Sequence, residues 1–224
     1  MEVEPRRAAG PVKKRSRVVS TVLVVLSVVL FAGGGTAVYF YWQQLHAPGH
    51  FTDLNGNIVV PEDPEATEPA FQDASNMVVD DGGAGFTVPA IKLDVKLGSI
   101  NAVDDKMNPA NFTSVFWVRN VGVGLDDADK GTVYMVTHAV QGGKAPGNIL
   151  QDKGAVTLKP GDLIQADKRT YEFVSSEIIP KTEIGNHEDL WANEPGRMLI
   201  ITCVLNPHGG IAVDNLVLVA KLVS

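Results

Sequence analysis

Cysteine is almost absent from this chain, because Cys203 is the only one among its 224 residues. A single thiol excludes an intramolecular disulfide, and it also excludes a zinc site built mainly from cysteines. Most lone cysteines behave as small buried apolar side chains. A thiol that no disulfide needs is also a candidate nucleophile, and composition leaves both interpretations open.

Basic residues are scarce after the first 42 positions. There, 13 lysines and arginines stand against 24 aspartates and glutamates, which gives a net charge of about −11. A protein that binds nucleic acid needs a basic surface to replace the counterions of the phosphates, so we exclude nucleic acid as a partner. The acidic residues form no compact calcium-loop pattern, and one cysteine among scattered histidines forms no zinc set. We therefore predict no cofactor and no metal.

One long hydrophobic run, Val18–Trp42, lies near the N-terminus. It exceeds the roughly 20 residues that a helix needs to cross a bilayer. The basic residues before it predict that 1–17 is cytoplasmic, and the aromatic cluster Tyr39–Trp42 is typical of a membrane interface. We predict a single-pass anchor over 18–42, with the C-terminal part outside the cell. A cleaved signal peptide is the alternative, because Gly33–Ala37 offers small residues.

Residues 43–85 are polar, acidic and contain several prolines, which predicts a flexible tether. From 86 to 224 the pattern changes to short β-branched runs divided by Gly, Pro, Asn and Asp. This pattern favours an all-β, closed eight-stranded barrel with short helical turns at Pro146–Leu150 and Asn186–Trp191. The expected strands are Ala90–Leu97, Ser114–Val118, Thr132–His138, Ala155–Leu158, Asp162–Ala166, Thr170–Ile179, Met198–Val204 and Asp214–Leu222.

Two runs, Thr132–Thr137 and Met198–Thr202, are apolar on both faces, which places them in the middle of the barrel wall. His138 follows the first and Cys203 follows the second, so we expect the two side chains to meet at one mouth of the barrel. An imidazolium lowers the pKa of a nearby thiol, and it can protonate a leaving amine. A structural histidine at a strand end would give the same pattern. The other histidines are His46, His50, His187 and His208.

These segments resemble the sortase family of cysteine transpeptidases. Leu199–Cys203, with the sequence Leu-Ile-Ile-Thr-Cys, is similar to the sortase nucleophile strand, and Gly131–His138 is similar to the strand with the sortase histidine. A Pro-containing start at Val88–Ile91 and a Lys-Pro-Gly-Asp turn at 159–162 also follow the family order. Asp214–Ala220 resembles the last strand of actinobacterial, class E/F-like forms.

The resemblance covers 86–224 and implies a sortase-like barrel in which Cys203 is the nucleophile and His138 its acid/base partner. By the family's chemistry, the enzyme would cleave a C-terminal sorting motif of an exported protein through a thioacyl intermediate. It would then join the protein to an amine of a cell-wall precursor or of a pilus subunit. The implied partners are sorting-signal peptides, that amine and the membrane of a Gram-positive cell.

The sequence departs from the family at the arginine of the last strand, which is thought to hold the substrate and the oxyanion. Val213 occupies the aligned position, and no arginine follows Cys203. Arg197 precedes Cys203 on the same strand by roughly 20 Å, at about 3.3 Å per residue. Asn215, or His208 from its loop, could donate instead. Two alternatives stay open: a catalytically silent sortase-like module that binds sorting peptides, and an anchored barrel scaffold in which the His and Cys are incidental.

Overall fold

The structure is a computed structural model that describes residues 51–59, 77–79, 84–206 and 208–223. All of them belong to the compact unit that extends from Gly49 to Ser224. The predicted cytoplasmic segment 1–17, the anchor 18–42 and much of the tether 43–85 lie outside the described residues. Within the described ranges, no helix has the length and apolar character needed to cross a membrane.

Strands dominate the described part of the chain, and the helices are short. The strands are β1 (Phe51–Thr52), β2 (Ile58–Val59), β3 (Met77–Val79), β4 (Gly85–Val88), β5 (Leu93–Ile100), β6 (Ser114–Gly122), β7 (Thr132–Val136), β8 (Gln151–Asp152), β9 (Ala155–Val156), β10 (Leu163–Ala166), β11 (Arg169–Pro180), β12 (Arg197–Val204) and β13 (Asp214–Leu222). The helices are α1 (Pro146–Leu150) and α2 (Glu188–Trp191), with 3-10 turns at Pro89–Ile91, Leu125–Lys130 and Ile184–Asn186.

Eight strands close into a barrel in the order β5-β4-β10-β11-β13-β12-β7-β6, and β6 returns to β5. The closing pair β5–β6 is parallel, from Lys96 opposite Ser114 to Ile100 opposite Val118. The pair β7–β12 is also parallel, and the other barrel pairs are antiparallel. Closure leaves no open edge within the ring. The prediction of an all-β, closed eight-stranded barrel with short helical turns is confirmed.

One member of the ring differs from the prediction. The sequence pattern predicts Ala155–Leu158 as a barrel strand, but only Ala155–Val156 is extended, and it forms a small hairpin with β8. The eighth barrel strand is β4, which pairs with β5 and β10. It has only four residues, Gly85 to Val88, and Pro89 follows directly. Its sequence pattern is therefore too short to mark a strand. Phe86 and Val88 are nevertheless fully buried in the core.

The neighbouring strands β7 and β12 are buried on both faces, as their sequences predict. Val133 of β7 and Ile200 of β12 lie in a core cluster with residues from all eight barrel strands, so this cluster fills the interior. Tyr134 and Leu199 belong to a second cluster on the outer face, together with Leu190 and its neighbours. Strands buried on both sides need near-continuous apolar sequences.

The expected tether is in part attached to the domain. The hairpin β1–β2 lies against the loop after β7, because the Asp53 carboxylate accepts a hydrogen bond from the Lys144 amide at 2.9 Å. The Leu54 amide donates to the Lys144 carbonyl at 2.8 Å. Further along, β3 pairs with the end of β5. These contacts depend on tertiary packing, which the polar local sequence does not reveal.

Candidate active site

The ends of β7 and β12 bring the two predicted catalytic residues together. The parallel ladder extends to Ile201 opposite Val136, and the Thr137 amide then donates to the Ile201 carbonyl at 3.1 Å. His138 and Cys203 each come two residues after this last ladder pair, so both lie just beyond the same end of the ladder. The sequence predicts His138 as the last residue of the strand, but it is the second residue after the strand.

The Cys203 side chain belongs to the outer face of the barrel wall. Ile201 of β12 is a member of the outer cluster, and residues two positions apart on a strand share a face. Cys203 therefore projects outward beside that cluster, close to the end of β12. His138 follows the end of β7, so this alternation does not apply to it. The expectation of a site at one mouth of the barrel stays a prediction.

A cavity of about 410 Å³ lies over this face, and His138 and Cys203 both line it. This volume is within the range of ordinary ligand pockets. Cys203 is partly exposed, so the thiol is not sealed in the core. The larger apolar side chains of the wall are Met107, Phe112, Ile184, Trp191, Ile201 and Leu205. The charged lining residues other than histidine are Asp105, Lys106 and Lys181.

The His138 ring is held by a hydrogen bond and by stacking. Its Nε2 is 2.8 Å from the Pro109 carbonyl oxygen. A carbonyl can only accept, so Nε2 has the proton in this hydrogen bond. The Phe112 ring stacks on the imidazole with centroids 4.2 Å apart and planes 16° apart. This arrangement fixes the ring plane and leaves Nδ1 as the nitrogen that can exchange a proton with a reacting group.

The aromatic support behind His138 extends into the N-terminal hairpin. Phe51 contacts Phe112 edge-on, with ring centroids 5.3 Å apart. Phe112 also packs with Val59 and Val140 in a small buried cluster. A segment expected to be a spacer thus forms the back of the wall that holds the histidine. Sequence analysis missed Phe112 and Pro109, because their loop reaches the site through the fold rather than through a strand pattern.

Asn215 is the direct cross-strand neighbour of Cys203 in the β12–β13 ladder. Opposite residues of an antiparallel pair project from the same face, and Asn215 also lines the cavity. Val213 is 65% exposed and is not part of the lining. His208, the other candidate donor, is exposed and also lies outside the lining. Of the two candidates, the structure brings Asn215 to the thiol and not His208.

Arg197 is at the opposite end of β12 and serves another purpose. Its guanidinium donates to the carbonyl oxygens of Asp189 at 2.8 Å and Leu190 at 3.2 Å, and also to that of Ala192. It therefore fastens the end of α2 to the barrel. Among the described residues, no arginine lines the cavity. Arg197 is confirmed as remote from Cys203.

The helix α1 and the residue after it contact the chain at both candidate catalytic residues, which the sequence does not predict. The Gly147 amide donates to the His138 carbonyl at 2.9 Å. Gln151, which follows the helix, donates from Nε2 to the Cys203 carbonyl at 2.8 Å. Gly147 packs so closely that a Cβ there would lie 2.2 Å from Thr202 Oγ1.

Solved structures that resemble this chain are sortases at low similarity. Sortase A of Listeria monocytogenes has 19% identity and a TM-score of 0.47 over 66% of this chain and 88% of that chain. Sortase C-3 from Streptococcus pneumoniae has 18% identity and a TM-score of 0.47, over 68% of this chain and 65% of that chain. Sortase A from Corynebacterium diphtheriae has 15% identity and a TM-score of 0.45, over 68% of this chain and 64% of that chain. This chain thus spans less than two thirds of the length of the latter two.

No protein-family model matches the sequence, and none of the curated proteins matches it. At identities below 20% and TM-scores below 0.5, the structural similarities assign neither an activity nor a substrate. The activity must therefore be inferred from the residues of the site. The described residues contain no group of three His, Cys, Asp or Glu side chains placed to share a metal ion.

The arrangement supports acyl transfer by a thiol. A partly exposed cysteine lines one cavity with an oriented histidine, and a neutral amide is next to the cysteine. The thiolate is the nucleophilic form of cysteine, and an imidazole can exchange the proton with it and with a leaving group. The amide NH₂ of Asn215 can donate to an oxyanion. The apolar wall can contact apolar groups of a ligand.

Proposed function

We propose that this chain is a sortase-type cysteine transpeptidase. Cys203 attacks a backbone carbonyl within a sorting motif near the C-terminus of an exported protein. The peptide bond breaks, the downstream piece leaves as an amine, and the upstream piece stays as a thioester on Cys203. A second amine then attacks the thioester, forms a new amide bond and releases the thiol.

The observation that most supports this proposal is the single cavity that His138 and Cys203 both line, beyond the end of the β7–β12 ladder. The resemblance of Leu199–Cys203 and Gly131–His138 to the sortase strands points to the same pair. The two independent lines agree on residue positions 65 apart in the chain. A scaffold with an incidental His and Cys would not require a cavity shared by both.

In this mechanism Nδ1 of His138 takes the thiol proton of Cys203 and passes it to the leaving amine, because the Nε2 proton is engaged by the Pro109 carbonyl. Nδ1 then takes a proton from the incoming amine and returns it to the departing thiolate, so the imidazole and the thiol both return to their starting states. Asn215 donates from its amide to the oxyanion of the tetrahedral intermediate. A neutral amide forms a weaker hydrogen bond to an oxyanion than a guanidinium does. The enzyme should therefore be slow for its type.

The proposed setting follows from the N-terminal sequence. Residues 18–42 would anchor the chain in the membrane of a Gram-positive cell, with 1–17 in the cytoplasm and the barrel outside. The substrates would be sorting signals of exported proteins, and the accepting amine would belong to a cell-wall precursor or a pilus subunit. The class E/F-like, actinobacterial resemblance of Asp214–Ala220 is part of the same proposal.

Mass spectrometry of the full chain in detergent tests the proposal. We would incubate it with a panel of peptides containing different sorting motifs, with and without an amine acceptor such as a glycine oligomer. We expect an acyl adduct on Cys203 without the amine, and a new peptide–amine product with it. The matched control is Cys203→Ala, which should give neither. Cleavage that persists in Cys203→Ala would refute the assignment.

The second candidate is a catalytically silent module that binds sorting peptides. It is favoured by one observation: the cavity lacks an arginine among the described residues, and Asn215 stands beside Cys203 instead. Binding of a fluorescent peptide, measured by anisotropy on the same panel, separates the two. Binding without any acyl adduct over days would favour the silent module.

A further inference from the structure

The ladder between the two central strands ends at Val136 opposite Ile201, and the Thr137 amide then bonds the Ile201 carbonyl. Cys203 is still held by β13, because the β12–β13 ladder extends to Val204 opposite Asp214. The backbone of His138 has no such ladder, since β7 ends at Val136. The spacing of His138 and Cys203 therefore depends on contacts outside the β7–β12 ladder.

The helix α1 connects the main chains of His138 and Cys203. The Gly147 amide bonds the His138 carbonyl at one side, and Gln151 bonds the Cys203 carbonyl at the other. Four residues of α-helix advance by about 6 Å, which is close to the roughly 4.8 Å between neighbouring strands. One helical turn thus has the length needed to connect two neighbouring strands.

Three hydrogen bonds join the helix firmly to the loop that follows His138. Asn148 Oδ1 accepts from the amides of Val140 and Ala145, both at 2.9 Å. Asn148 Nδ2 donates to the Val140 carbonyl at 3.0 Å. A displacement of α1 would therefore move the His138 loop with it, and the connection to Cys203 is through Gln151.

The environment of Gln151 supports a specific role for its amide. The side chain is buried, with 6% of the residue exposed. Its nitrogen must face the Cys203 carbonyl, since a carbonyl oxygen can only accept. Within the described residues, Gln151 Oε1 has no hydrogen-bond donor. Burying an amide with only one of its two polar atoms hydrogen-bonded lowers the stability of the fold. We therefore expect the bond to Cys203 to have a function that offsets this loss.

Gly147 provides the second point of close approach. A Cβ at this position would lie 2.2 Å from Thr202 Oγ1 and 2.6 Å from the His138 carbonyl oxygen. The helix therefore touches the residue before Cys203 and the histidine at the same place. Only a residue without a side chain allows both contacts.

We propose that α1 with Gln151 is a spacer that sets the separation of His138 and Cys203, and that Gln151 is a positioning residue. This inference rests on the proposed cysteine chemistry. Gln151 does not touch the substrate in this scheme. It acts by fixing the Cys203 main chain relative to the loop that holds the histidine. A misplacement of about 1 Å can cost 10²-fold in rate, so a single hydrogen bond at this point has a large effect.

The main test uses Gln151→Met in the full chain, which keeps the length and removes the donor. The pH dependence of Cys203 alkylation by iodoacetamide reports the thiolate without any peptide substrate. We expect the midpoint to move to higher pH, and the alkylation rate at pH 7 to fall about tenfold for every pH unit that the midpoint rises. With a cleaved peptide, kcat should fall by about 10- to 100-fold and KM should change little, because the cavity walls are unaltered.

The matched control is Tyr134→Phe, which removes a buried bond of the same length, 2.8 Å to the Leu190 carbonyl, from the middle of β7. It should lower thermal stability without moving the alkylation midpoint. A folded Gln151→Met with wild-type midpoint and kcat would overturn the proposal and leave Gln151 a purely structural residue.

Gln151→Glu gives a second test if Gln151→Met does not fold. A neutral carboxylic acid can donate to the Cys203 carbonyl, and a carboxylate cannot. The ratio of its alkylation rate to that of wild type should therefore rise as the pH falls through the titration of Glu at this position. The other ionisable groups are common to both proteins and cancel in the ratio. In the cavity lining they are Asp105, Lys106, His138 and Lys181, and Asp152 follows Gln151 in the chain. A ratio independent of pH would overturn the proposal.

The two proposals fail separately in these experiments. If no peptide is cleaved but Gln151→Met still raises the alkylation midpoint, the spacer is supported and the transpeptidase function is not. If peptides are cleaved and Gln151→Met leaves both the midpoint and kcat unchanged, the function is supported and the spacer is rejected.

Discussion

Cys203 and Asn215 are paired across β12 and β13, and both residues line the cavity over the outer face of the barrel. Their Cβ atoms are about 5 Å apart in such a pair, which lets an amide reach a group bound at the thiol. The position aligned with the sortase arginine, Val213, is two residues earlier and 65% exposed. In this chain the side chain paired with the candidate nucleophile is therefore a neutral amide.

Replacing Asn215 by Ala should lower peptide cleavage by about 10²- to 10³-fold, the usual effect of removing one oxyanion donor. The loss should be in kcat, because the donor acts on the tetrahedral intermediate rather than on the bound peptide. Steady-state cleavage of the best peptide measures it. The control is His208→Ala, which changes an exposed residue outside the cavity and should be neutral. Loss of activity in His208→Ala and not in Asn215→Ala would reverse the assignment of the donor.

Adding an arginine tests whether the site is impaired rather than inactive. In Val213→Arg the new side chain begins one strand repeat, about 6.6 Å, from Asn215, within the reach of a guanidinium. A charged donor forms stronger hydrogen bonds to an oxyanion than a neutral one. We expect faster cleavage in the peptide assay. If Val213→Arg and wild type both bind peptides and neither cleaves any, the silent module is favoured.

The thiol of Cys203 should react with iodoacetamide in the folded protein, because the residue is partly exposed at the cavity. His138→Ala should slow this reaction near neutral pH, since an imidazolium close to a thiol favours the thiolate. His187→Ala is the matched control, as His187 lies outside the cavity lining. Protection of Cys203 until the protein is denatured would return it to the class of buried structural cysteines.

The barrel could be predicted because its strands have strong local patterns. β7 and β12 are apolar on both faces, and their burial on both sides requires such sequences. β4 could not be predicted, because its four residues, Gly85 to Val88, form a strand only through pairing with β5 and β10. The hairpin β1–β2 depends in the same way on Asp53 and the Lys144 main chain, which are 91 positions apart.

The candidate site was predictable where it lies on strands. The β12–β13 register pairs Cys203 with Asn215, and His138 follows β7 by two residues. The sequence marks all three of these strands. Gln151 and Phe112 were not predictable, because they reach the site from a helix end and a loop. The choice between Asn215 and His208 also needed the structure, since sequence proximity to Cys203 favours neither.

The aromatic support of His138 gives a prediction about the hairpin. In Phe51→Ala the Phe112 ring loses its edge contact, and aromatic pairs of this kind contribute about 0.5–1.5 kcal/mol beyond burial. We expect a lower free energy of unfolding, and also a lower kcat, because Phe112 stacks on His138. Urea unfolding and peptide cleavage measure the two effects. The control is Ile58→Ala in the same hairpin, where the side chain is exposed. An unchanged kcat in a destabilised Phe51→Ala would limit the hairpin to a stabilising role.

The attachment of the same hairpin should depend on pH through Asp53. The residue is only 3% exposed. Burial raises the pKa of its carboxyl, but hydrogen bonds from the Asn57 amide and side chain and from the Lys144 and Asn55 amides outweigh this, so the pKa lies below the usual 3.8. A carboxyl whose pKa is lower in the folded state stabilises the fold above the unfolded-state pKa, and this contribution is lost as the pH falls through the folded-state pKa.

Wild type should therefore be more stable than Asp53→Ala at pH 7, and the difference should shrink below about pH 3.8 as Asp53 is protonated. Thermal unfolding at a series of pH values measures this difference. The control is Asp94→Ala, a change at an exposed carboxyl of β5, which should give no such convergence. Limited proteolysis adds a local readout, since loss of the Asp53 bonds to Lys144 should expose the hairpin to cleavage before the barrel unfolds. A stability difference that stays constant from pH 7 to pH 2 would show that the Asp53 charge does not hold the hairpin.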